Sequence, residues 1–324
     1  MMKRICILLV VALMILSCDQ SFNPKGEFER TLAIYAVLSN ASDTVLIRVN
    51  HPYDPSGFDP FELTVDPTVG DGSVQLSRND TLYAVRDTLI TRTDKSRYQS
   101  DIQAYVAAPV PVRFGDRFAL TVSSPSYGSF SATTIIPGAG EISTIHFFEL
   151  DRATRMKSDT LFASIRISPA TAGYFFRAYL EYDLISGADT TVNRIEVPAF
   201  YGSYDGIIAS HPRYHVLHRR LSPPSSGGWE LYEDDFFLVN SFLRTADILH
   251  AQLQTALIRR AVFVLNQVEP GFYNYYNIVN GFRDGRSIRI DEPGFTTFAG
   301  GEGIFGAFTV EEAFHDLPFK LYNE

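Results

Sequence analysis

Apolar and polar residues alternate along most of the chain in short runs separated by turn-forming residues. Leu32–Leu38 is a β-rich run that ends at Ser39-Asn40, and Thr44–Val49 follows before a dense cluster of breakers at residues 51–57. Ser73–Ser77 alternates with period two, Arg78-Asn79-Asp80 turns the chain, and Thr81–Val85 returns, which predicts a hairpin. Tyr98–Val106 is a further strand. Arg113–Arg117 forms a turn into Phe118–Ser123, and Phe130–Ile136 closes the series before Pro137-Gly138. About seven short strands in roughly 110 residues is the pattern of an immunoglobulin-like β-sandwich, although no Cys-Trp-Cys signature accompanies it.

Pro137-Gly138-Ala139-Gly140 is the expected domain boundary, so residues 30–137 read as the sandwich and 138–324 as a second β-rich domain. Its strands are expected at Ile142–Phe148, Thr160–Ile167, Tyr174–Leu184, Val192–Val197, Phe236–Asn240 and Ala261–Leu265. Residues 198–230 read as irregular. One or two short helices are predicted. Ala246, Leu249, Leu253, Ala256 and Leu257 make a helical stripe from Thr245 to Ile258, with Arg259 and Arg260 at the end where a helix favours cations. Pro270 suits the first turn of a helix to Val279, with Gly281 as its stop. The fold class is therefore mainly β.

The first residues change the picture from fold to address. Lys3 and Arg4 precede an uncharged apolar run, Ile5–Leu16, which is shorter than the roughly 20 residues a spanning helix needs and has the form of a signal-peptide core. It ends in Ile15-Leu16-Ser17-Cys18, which resembles a bacterial lipobox: a small residue at the cleavage point, then a thiol for diacylglyceryl attachment. Residues 1–17 are thus expected to be a lipoprotein signal peptide, Cys18 the lipidation site, and 18–29 a polar tether carrying Pro24 and Gly26. Cleavage would remove Cys6 and two cations, leaving a chain more acidic than the formal −9 and without a thiol in its folded body. Two or three acyl chains anchor stably where one does not, so the membrane is an expected partner through the N-terminal lipid. The acidic balance argues against nucleic acid as a partner.

Candidate chemistry is sparse. The chain holds no G-x-S-x-G, H-E-x-x-H, P-loop or helix-opening G-x-G-x-x-G, no cofactor is implied, and an enzyme is not expected. His211, His215 and His218 are the sharpest group. Imidazoles are common metal ligands, but Pro212 interrupts them and a solvated loop is the simpler reading. Trp229, with Tyr201, Tyr204 and Tyr214, offers rings that could stack on a ligand or pack a loop. Asp54, Asp59, Glu62, Asp66 and Asp71 could serve calcium, though without EF-hand spacing. Gly300-Gly301-Glu302-Gly303 reads as a tight turn or bulge admitting the last strand to its sheet.

Three stretches carry a resemblance. They are Ser17-Cys18; Gly115–Val122 with Phe130–Pro137; and Tyr273-Asn274-Tyr275-Tyr276 followed by Gly300–Ala307. Together they resemble the Bacteroidota lipoproteins of the domain-of-unknown-function family numbered 4249, over nearly all of the chain after residue 17. Phe298-Ala299 stands where that family has Asn before its glycine pair, and Asp116-Arg117-Phe118 where it has Gly-Tyr. The resemblance implies a lipid-anchored outer-membrane protein, on the periplasmic or cell-surface face, acting as a binding or accessory component of a TonB-dependent nutrient receptor. A lipid-anchored metal-dependent hydrolase and a structural or adhesive surface module are the competing expectations.

Overall fold

The computed structural model describes residues 30–53, 62–94, 98–148, 160–187, 189–198, 200–204, 207–213, 217–220, 230–232, 236–238, 245–246, 248–249, 251–252, 256–281 and 295–316. Strands dominate. The first half contributes β1 (Ala33–Ser39), β2 (Val45–Asn50), β3 (Ser73–Arg78), β4 (Thr81–Tyr83), β5 (Val85–Ile90), β6 (Ile102–Ala107), β7 (Arg117–Ser124) and β8 (Gly128–Ile135). Then come β9 (Glu141–Phe148), β10 (Thr160–Ile167), β11 (Gly173–Ser186) and β12 (Asp189–Val197). The short strands β13 (Phe200–Tyr204), β14 (Ile207–Arg213), β15 (His218–Arg219), β16 (Glu230–Tyr232) and β17 (Phe236–Leu238) follow. Last are β18 (Ala256–Val268), helix α1 (Pro270–Gly281) and β19 (Glu302–His315).

A nine-stranded sheet runs in the order β12-β11-β18-β19-β1-β2-β6-β5, with β15 joined to β11. β1 and β19 pair in parallel, Ile34 opposite Gly303 and Ala36 opposite Phe305. One face of this sheet supports two cores. Ile34, Ala36 and Leu38 of β1, Val45, Ile47 and Val49 of β2, and Phe305 of β19 pack against Leu76, Phe118, Leu120 and Phe130 of a four-stranded sheet, β4-β3-β7-β8. Further along, Phe176, Ala178 and Leu180 of β11 and Ala261, Phe263 and Leu265 of β18 pack against Ile165 and Ile167 of β10. Period-two patterning produces both: β7 buries every second residue from Phe118 and β8 every second one from Phe130. Thus β19 hydrogen-bonds to β1 on one side and β18 on the other, joining strands from either side of residue 137.

That crossing residue range is itself pinned. Gln267, fully buried on β18, donates from Nε2 to the Gly138 carbonyl at 3.1 Å and accepts at Oε1 from the Ser168 amide at 2.6 Å and the Thr171 hydroxyl at 3.0 Å. The Ser168 hydroxyl accepts from the Gly138 amide at 2.8 Å. Buried polar groups are costly unless satisfied, and here each completes the other.

Two sequence expectations change. The helical stripe from Thr245 does not reach Ile258. Thr245, Ala246, Ile248, Leu249, Ala251 and Gln252 are helical, but the chain is a strand from Ala256. Pairing with β11 along residues 256–268 outweighs the local period, and Arg259 and Arg260 lie on β18 instead of at a helix end. The segment 198–230, read as irregular, contains the β13–β14 hairpin, with Tyr201 opposite Pro212 and Gly202 opposite His211. The helix from Pro270 forms as expected.

Candidate functional site

On the face of the large sheet opposite its cores, α1 lies across the strands. Gly306 of β19 is where it lands: a Cβ there would come within 3.0 Å of the Phe272 Cβ. Gly173 of β11 is a second landing point, since a Cβ there would sit 2.3 Å from the Tyr273 ring. Tyr276 meets Phe175 edge-on at 5.3 Å. The helix start is held by Glu269, whose Oε2 and Oε1 accept from the Gly271 and Phe272 amides, each at 2.6 Å. This carboxyl caps the helix from the residue before Pro270.

Beyond the helix, the turn at 295–303 bends back to start β19. Gly303 has φ +102°, and a Cβ there would fall 2.0 Å from the Ile34 carbonyl oxygen, so only glycine fits this close approach. The Thr297 hydroxyl accepts from the Phe305 amide at 2.7 Å, and the Thr31 hydroxyl donates to the Gly300 carbonyl at 3.1 Å. The glycine-rich turn therefore does what its sequence suggested: it admits the last strand to the sheet.

Between β1, α1 and this turn lies a cleft of about 500 Å³. Tyr35, Tyr275 and Phe295 supply aromatic walls, Glu302 a carboxylate, and Thr31 and Thr296 hydroxyls. The Tyr275 side chain neighbours the Tyr35 phenol. Burial, and then the neighbouring Tyr275 and Glu302, push the Tyr35 phenol above its ordinary range, so it stays protonated. Among the described residues that line the cleft, Glu302 is the only charged one. These are ligand-recognition groups: rings, hydroxyls and one anion.

A second polar constellation crosses β12, β11, β18 and β19. Glu181 is 3% exposed and receives Arg260 Nε at 2.8 Å and Arg194 Nε at 3.1 Å. Arg194 also forks onto Glu312, at 2.7 and 3.2 Å. Arg259 Nε binds Asp183 at 2.7 Å, and the Arg260 guanidinium sits 3.9 Å over the Phe314 ring. Burial alone would raise the Glu181 pKa; the hydrogen bonds from Arg260 and Arg194 outweigh it, and the net direction is down. Paired charges of this kind hold a sheet face rather than a reaction.

The residues singled out from the sequence do not meet in the cleft. His218 lies on β15, its ring stacked on Tyr174 at 5.1 Å and 17°. His211 is a backbone position of β14, and His215 lies outside the described residues. Among the described residues, no three or more His, Cys, Asp or Glu side chains could hold a metal together. Tyr201 and Tyr204 are positions of β13, while Trp229, Tyr214 and Cys18 lie outside the described residues. Of the acidic stretch, Asp54 and Asp59 are also outside. Asp66 is engaged by Arg48 at 2.7 Å and by Arg92, and Asp71 accepts from Ser124 and Ser126, each at 3.0 Å.

Sequence reasoning missed Tyr35, Phe295 and Glu302 as site residues. The signal was present in two short runs, Tyr273–Tyr276 and Gly300–Gly303, whose adjacency in space no spacing rule reveals. Among the described residues, no helix is long and apolar enough to cross a membrane. No family model matches the chain, and no curated protein sequence matches it.

Proposed function

We propose that this chain is a lipid-anchored, non-enzymatic binding component of the bacterial outer membrane, an accessory to a TonB-dependent nutrient receptor. The observation that carries this reading is the N-terminal order of Lys3-Arg4, the apolar run Ile5–Leu16 and Ser17-Cys18. Supporting it are the resemblance to the Bacteroidota lipoproteins of family 4249, to which we assign the chain, and the absence of a recognisable catalytic motif from the sequence. We read residues 30–137 as an immunoglobulin-like sandwich, supported by the two sheets that share the core around Ile47, Phe118 and Leu120. Such a framework presents loops and clefts on a rigid support.

The experiment is expression in a Bacteroidota host with an alkyne-tagged palmitate. The protein is expected to take up label and fractionate with outer membrane. Cys18→Ala should abolish the label and release the protein from the membrane fraction. Affinity capture from detergent-solubilised outer membrane should co-purify a β-barrel transporter. Unlabelled protein that stays soluble would overturn the anchoring, and labelled protein that never recovers a barrel would overturn the receptor assignment.

A further inference from the structure

The geometry points to the cleft between β1, α1 and the 295–303 turn as a binding site for a small organic cation, an ammonium group carried on a ligand of modest size. Charge and surface favour this ligand class whether or not the chain is anchored to a membrane. A volume of about 500 Å³ falls within the range of small-molecule pockets. Three aromatic side chains, Tyr35, Tyr275 and Phe295, line it, and ring faces attract cations through their quadrupole. Glu302 adds the one formal charge among the described lining residues, and it is negative.

The Tyr35 phenol is a neutral hydrogen-bonding group at neutral pH, and burial shifts it further from ionisation, so it neither repels a ligand nor needs a counter-ion. An anion would meet a carboxylate, phenol oxygens and no described cation in the lining. The whole chain, at formal charge −9, adds a long-range field of the same preference.

The glycine turn makes the site possible at this position. Gly301 lies against Phe130, whose ring a Cβ would approach to 2.8 Å, and Gly303 lies against the β1 backbone. Glu302, between them, begins β19 opposite Ala33 and is exposed. The carboxylate is therefore carried on a backbone that close packing holds on both sides.

The test is titration calorimetry of the full chain with choline, with its neutral isostere 3,3-dimethylbutan-1-ol, and with methyl glucoside. Choline is expected to bind about tenfold more tightly than the isostere, with an affinity that falls as salt rises. In Glu302→Gln that preference should shrink by roughly three- to tenfold, a change that the exposed position allows without moving the melting temperature. Equal affinity for choline and the isostere would overturn the proposal. So would binding of methyl glucoside alone, which would make the cleft a saccharide site, or no heat from any of the three. Choline binding indifferent to both Glu302→Gln and Tyr275→Leu would move the cation elsewhere and overturn it equally.

Discussion

Glu181 is an anion out of water with a guanidinium on each side, and its behaviour with pH follows from that placement. Its pKa is lower in the folded chain than in the unfolded one. The stability it contributes is therefore fully present above the ordinary glutamate range and is lost as pH falls through the depressed folded value. Glu311 is shifted the opposite way, by burial, so its contribution is present in acid and lost as pH rises through the raised value. The two can be told apart. Glu181→Gln should lower the melting temperature at neutral pH, by a loss of about 1–2 kcal/mol because the charge and one acceptor oxygen go while Arg194 keeps Glu312, and should flatten the acid limb of the stability profile. Melting curves from neutral to strongly acid pH check this. An unchanged acid limb would mean that Arg194 and Arg260 find their partners elsewhere. None of this is legible from the sequence, where Glu181 is one of several polar residues, with Arg177 and Asp183, in a strand rich in aromatics. Its partners arrive from positions 194 and 260, through register rather than local spacing.

At the scale of elements, the strands were the legible part, because a half-buried strand writes its period directly into the chain: Phe118, Leu120 and Val122 point inward and their neighbours do not. Helices competed less evenly. The stripe from Ala246 to Leu257 has a helical period, yet residues from Ala256 join β11, since the β-branched and aromatic run at 261–265 rewards pairing. The Pro270 helix was legible from its proline, but its cap was not. Glu269 occupies a position where Ser, Thr, Asp or Asn is usual, and it works because its buried carboxylate reaches two amides. Burial raises its pKa, against the lowering effect of the amides of Gly271, Phe272 and Ala307. Glu269→Ala is expected to cost about 1–2 kcal/mol, and Glu269→Gln less, because one acceptor oxygen remains. Either change should make stability at neutral pH, relative to acid pH, more favourable than in the parent, since a carboxyl raised in the fold loses stability as pH climbs. Chemical denaturation at two pH values measures both effects. Glu269→Gln matching Glu269→Ala would show that the side chain packs without capping.

Over the whole molecule, the decisive contact is the parallel pairing of the first strand with the last, which sequence periodicity cannot announce because nearly the full chain separates Ile34 from Gly303. The sequence marks a break at Pro137–Gly140, and the chain does pass there from one facing sheet to the other. Even so, Phe305 and Ala307 belong to the core of the first half, while Glu311, Glu312 and Ala313 pair with β18 of the second. A strand shared in this way couples the two cores, because β19 supplies Phe305 and Ala307 to the first and is the hydrogen-bonded neighbour of β18, which carries Ala261, Phe263 and Leu265 of the second. Gly303→Ala isolates that coupling. The new methyl would collide with the Ile34 carbonyl, on a backbone at φ +102°, where an L-residue is already strained. The expected loss is at least ~3 kcal/mol, well beyond the roughly 1–2 kcal/mol of a left-handed alanine with room around it. Gly187→Ala, at φ +65° and with nothing within 4 Å of the added Cβ, is the matched control for that smaller cost. Hydrogen exchange should then show amides of β2 and β11 losing protection together in Gly303→Ala and only slightly in Gly187→Ala. If β2 opens while β11 keeps its full protection, the shared strand does not transmit stability and the two halves behave as independent units. If both open in a single cooperative step, β19 is the element through which a thirteen-residue strand of the second half and the core of the first are held as one.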